Sequence, residues 1–205
     1  MPGNPWPHDM VIRIEDDAAP LLELLWVREA RELHPVGDVP PPLIDIPEPA
    51  GPTSDPYTTT AWTRAWPQIW AGAVSHAAGI TPRPSFDDLS GTADGSPKRA
   101  ELLDRMRGPS WRGRFGDAAL GPGFAAWTER RFRGIATTRP RRLARTPERM
   151  ALQALIPAWE AGLETVVTIP CRGEHTRRVG ASGLLMTEAT RDDPEHYAAA
   201  LRTFG

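Results

Sequence analysis

Apolar and polar positions alternate with a helical period over most of the chain. Leu21, Leu22, Leu25, Trp26, Ala30 and Leu33 form a stripe that predicts a helix from about Asp17 to Leu33. Asp16 and Asp17 stand where an N-cap and a favourable dipole charge belong, and Pro20 is tolerable only in a first turn. His34-Pro35 ends the run. Residues 35–56 hold eight prolines and read as an extended connector, with Leu43, Ile44 and Ile46 suited to lying on a surface.

Trp62, Trp66 and Trp70 recur every fourth position within a second predicted helix, about Thr58 to Ala78. Pro67 lies inside it and predicts a kink or break near Ala65. Residues 79–96 read as a loop. Ser96-Pro97 opens a third helix, with Ser as N-cap and Pro at the first helical position, and Leu102, Leu103 and Met106 as its apolar side. Gly108-Pro109 stops it. A helix from about Pro122 to Phe132 follows, and Thr137 to Arg145 reads as a loop.

The C-terminal region is the most sharply patterned. Thr146-Pro147-Glu148 starts a helix whose face is Leu152, Leu155, Ile156 and Trp159, and Gly162 stops it. Thr165 to Ile169 and Ser182 to Ala189 read as strands, and joining them through Cys171–Gly180 predicts an antiparallel hairpin. Asp193-Pro194-Glu195 opens the last helix. The expectation is an α+β fold, mainly helical, of about five helices with an antiparallel β-hairpin between the last two. Residues 1–56 are expected to be an acidic, proline-rich helix and arm packing on a main body of residues 57–205.

Composition changes this picture little. The 205 residues are 40% hydrophobic, enough to bury a core, and a net charge of −2 gives no global reason to expect nucleic acid or membrane. Cys171 is the single cysteine, which excludes an intrachain disulfide and favours a reducing compartment. The start lacks a basic and apolar leader, and no apolar run approaches the roughly 20 residues of a membrane span. A cytoplasmic protein without membrane contact is expected. Lys98 is the sole lysine beside 23 arginines, so arginine here is the default cation and not a phosphate signature.

Three constellations are candidates for chemistry. The loop Cys171-Arg172-Gly173-Glu174-His175 sets a thiol among arginines and a histidine, which suits a thiolate nucleophile with His175 as base and Glu174 orienting it. The simpler reading is a small buried cysteine at a strand end beside a solvated loop. Cys171 and His175, even with His196 nearby, are too few for zinc, so no metal is expected.

The second is a run of arginines between Arg130 and Arg149. Within it Arg139, Arg141, Arg142 and Arg145 are the candidate contacts for nucleic acid or another polyanion. Charge segregation supplies the competing reading. Residues 1–60 carry a net −8 and residues 97–149 a net +9, so the acidic arm is placed to neutralise the basic segment within the chain. The third is the tryptophan stripe, a stacking platform or, on area grounds, core. No dinucleotide fingerprint, P-loop, zincin or hydrolase-elbow motif occurs, and no cofactor is expected. The resulting expectation is a binding or regulatory protein acting through a protein partner. Polyanion binding through the arginines and an enzyme built on Cys171 and His175 are the alternatives.

Overall fold

The chain's computed structural model describes residues 6–51, 56–138 and 146–204. Its centre is a sheet whose two inner strands, β2 (Thr165–Ile169) and β4 (Gly183–Thr187), are buried at every position. β1 (Arg13–Glu15) lies beside β2, β3 (Thr176–Val179) beside β4, and the order is β1-β2-β4-β3. β1, β2 and β4 are parallel, with Thr165 opposite Gly183 and Ile169 opposite Thr187, and only β3 runs antiparallel.

This corrects the expected hairpin. The two apolar strands are parallel neighbours, and the stretch between them supplies the antiparallel edge strand Thr176-Arg177-Arg178-Val179. Apolar runs without alternation belong to strands covered on both faces, which is the parallel-sheet pattern. β3, with its two arginines, has the mixed pattern of an edge. Gly180 holds the left-handed φ of 59° that the return from β3 to β4 needs.

Successive residues of the inner strands serve two different cores. Val167, Ile169 and Leu185 pack with α1 (Ala19–Ala30) and α2 (Pro56–Ala77) on one face. Val166, Leu184 and Met186 pack on the other with α8 (Leu152–Glu160) and α10 (Pro194–Arg202). The result is a helix–sheet–helix arrangement, about half helical, with ten α-helices and four strands among the described residues. The expected mixture of helix and sheet holds, while the count of about five helices does not.

Several differences have local causes. α1 is buried on nearly every side from Leu21 to Arg28, and its N-cap is Ala18 and neither Asp16 nor Asp17; Asp17 lies 3.8 Å from Arg131. α2 continues through Pro67 without a break. Trp66 and Trp70 on either side of that proline are buried and stacked at 5.1 Å, and the Trp66 indole donates to the Leu24 carbonyl at 2.8 Å. The region expected as loop contains α3 (Phe86–Ser90), started by a capping box between Ser85 and Asp88. α4 (Pro97–Arg107) begins at Ser96 as its sequence predicts but buries no residue fully.

α5 (Trp111–Phe115), a short 3-10 turn (Asp117–Ala119) and α6 (Gly121–Thr138) complete the first face. The helix expected from Thr146 divides into α7 (Pro147–Met150) and α8, with Ala151 off helical geometry between them. Thr187 ends β4 and caps α9 (Glu188–Asp192), so the second strand is shorter than its sequence suggested. Asp193 caps α10 by accepting from the Glu195 and His196 backbone amides.

Candidate functional site

The strand-end loop after β2 is stitched to the proline-rich connector. Ile44 donates its backbone N–H to the Pro170 carbonyl at 3.0 Å, Arg172 donates to the Pro42 carbonyl at 2.8 Å, and Leu43 bridges Cys171. Cys171 is thereby sealed in the first core with no exposed surface. Burial pushes its thiol up to about 12, the direction opposite to thiolate activation. The expected partners do not converge on it. Among the described residues no hydrogen bond joins Cys171 to His175, whose backbone is tied to Thr187 and Thr190. Burial, reinforced by Arg177, lowers the affinity of the His175 ring for a proton. Glu174 faces His196 at 3.2 Å, on the exposed side of the loop, and does not orient His175.

Beyond the carboxyl ends of the parallel strands the charges are paired. Arg28, buried in α1, donates to the Pro40 and Pro41 carbonyls and to Glu29. Arg131 of α6 binds Glu188 and lies 3.8 Å from Asp17, while Glu148 of α7 holds Arg191 of α9 at 2.6 Å. Arg112 gives its backbone amide and its Nε to the buried carboxylate of Glu23 at 3.0 and 3.1 Å. Two acids of the N-terminal segment, Asp17 and Glu23, therefore neutralise arginines of the basic middle segment.

Of the arginine run, Arg130 and Arg149 are exposed, and Arg133 pairs with Glu129 on the surface of α6. Arg139, Arg141, Arg142 and Arg145 lie outside the described residues. Trp62, Trp66 and Trp70 are all core and offer no surface for stacking. Among the described residues no three of His, Cys, Asp and Glu are grouped so as to hold a metal ion, and no helix is long and apolar enough to cross a membrane.

A concavity lies elsewhere, on the outer face of the second core. α8 and α10 enclose a groove of about 880 Å³. Its floor and walls are Ala151, Ala154, Ala158, Ala198 and Leu201, with Met150, Pro157 and Pro194 along the edges. The groove exists because alanines face one another across the helix pair. Leu155, Tyr197 and Leu201 fill the layer beneath, against the sheet, but methyl groups are too short to fill the space above. Gln153, Glu195 and Arg202 supply a polar rim. Met150, at one end of the groove, is 59% exposed.

Sequence patterning does not single out this surface. Ala151, Ala154 and Ala158 are spaced to share a face, and that spacing is the one trace of it in the sequence. Comparison with protein-family models, with curated proteins and with solved structures finds no match to this chain.

Proposed function

We propose that the protein is a binding or regulatory protein that works through protein–protein contacts, docking through the groove between α8 and α10. The observation that carries this reading is the groove itself: small apolar walls, an exposed methionine at one end and a polar rim. An apolar centre with a polar margin is the make-up of a docking surface, and a helix or side-chain ridge of a partner fits between two such helices. The groove offers shape and apolar area without a convergent set of acid, base and nucleophile.

The test compares association by the full chain and by two variants that fill the groove from opposite walls, Ala198→Arg and Pro157→Arg. Both are expected to abolish capture of the species that the wild-type protein retains, while Phe86→Ser, at an exposed site on α3, leaves it intact. Capture unchanged in both groove variants, with helical content preserved, overturns the reading.

A second reading rests on Arg130 and Arg149, which are exposed at the two ends of the arginine run. It takes the run, with Arg139, Arg141, Arg142 and Arg145, as a polyanion contact. Arg131, engaged by Glu188 and Asp17, is not free to join it.

A further inference from the structure

We infer that the partner docking on this face is a second copy of the same chain, related by a two-fold axis across α10. The inference rests on the groove being a docking surface and names its occupant. α10 turns Tyr197, Ala200 and Leu201 inward, all buried. At helical spacing its opposite stripe is Glu195, Ala198, Ala199 and Arg202. The ion pairs formed among the described residues use neither Glu195 nor Arg202.

This stripe is complementary to itself when reversed. In an antiparallel pair centred between Ala198 and Ala199, Glu195 of each copy meets Arg202 of the other, and the alanines meet at the axis. Two salt links of opposite sense then flank a contact of small side chains, where two helices approach closely. A two-fold interface requires this self-complementarity, because each residue must suit its symmetry-related partner. A partner helix that lacks an acid and a base seven residues apart gains neither link. The same approach brings α8 and its apolar wall alongside α10 of the second copy, covering the groove from above.

Each of the two helices has nine residues and so spans about 13 Å, which places the paired area at the small end of specific interfaces. Reversible association at about micromolar to tens of micromolar concentration is expected, not an obligate dimer.

Sedimentation equilibrium of the full chain up to about 200 µM tests this at low salt, using wild type, Glu195→Arg and the double variant Glu195→Arg/Arg202→Glu. The expected result is a wild-type dimer, weakening of about tenfold or more in Glu195→Arg, where two attractive contacts become repulsive, and restoration in the double variant. A wild-type monomer throughout overturns the inference. So does a dimer indifferent to Glu195→Arg, or one that the double variant fails to restore. If the wild type is monomeric and Ala198→Arg still abolishes capture of another protein, the docking surface stands and only its occupant is wrong. If Ala198→Arg and Pro157→Arg leave every association unchanged, both fail together.

Discussion

Replacing Cys171 with alanine separates the buried thiol from a catalytic one. The folded thiol ionises only near 12, raised from an ordinary value near 9 by its burial in the first core. Below about pH 9 the thiol is neutral in both folded and unfolded chains, and its ionisation does not affect stability. Above that the unfolded chain releases the proton and the folded chain holds it. The stability that the neutral thiol secures is therefore lost as pH rises from about 9 towards about 12. At about pH 10.5 the loss amounts to about 2 kcal/mol, from 1.5 pH intervals at about 1.4 kcal/mol each.

Other groups titrate in the same range, so the quantity to measure is the difference between wild type and Cys171→Ala. Urea unfolding of both proteins at about pH 8 and about pH 10.5 gives it. Wild type is expected to lose about 2 kcal/mol more than the variant between the two conditions. At pH 7 the folded thiol should also react with a chromogenic disulfide orders of magnitude more slowly than the urea-unfolded chain. A difference that is flat with pH, together with a labelling rate like that of an accessible thiol, refutes the burial argument and restores the nucleophile reading.

Two further outcomes follow from the packing and a third from the arginine run. Glu23→Ala removes the acceptor of two Arg112 donors and should cost about 2 kcal/mol in urea unfolding, less than a fully buried pair because Arg112 can turn to water. Trp66→Phe forfeits the bond to the Leu24 carbonyl and leaves a void beside Trp70, for a loss of about 2–3 kcal/mol by the same assay. Exchanging Arg139, Arg141, Arg142 and Arg145 for serine should remove any salt-sensitive retention on a phosphate resin, and a wild type that is not retained at low salt ends the polyanion reading.

What was legible in the sequence was local. Ser96-Pro97 and Asp193-Pro194 mark helix starts because a capping side chain acts within three residues, and both do so in the structure. Gly162 stops α8 with a φ of 101°, and the Leu163 amide returns to the Ala158 carbonyl behind it. Tryptophans at one-turn spacing were best explained by burial, and they are buried. Strand pairing was not legible in the same way. β1 pairs with a strand some 150 residues distant, which no local pattern encodes.

The unalternating runs Val166-Val167 and Leu184-Leu185-Met186 did carry the sign of a two-faced parallel sheet, but their nearness in sequence favoured a hairpin. The loop of Cys171, Glu174 and His175 looked like chemistry because those residues are adjacent in sequence. In the fold the thiol turns inward and the carboxylate outward. The groove was hidden for the converse reason: Ala154 and Ala198 are ordinary helix formers until folding sets them face to face.

The docking surface is tested most directly by a photo-cross-linking side chain placed at Ala198 in the full chain, with the same group at Phe86 as the remote control. Irradiation under conditions of association should give a cross-linked protein product from position 198 and none from position 86. Cross-linking from position 86 alone, or from neither position while association persists, contradicts the assignment of the α8–α10 groove as the binding face.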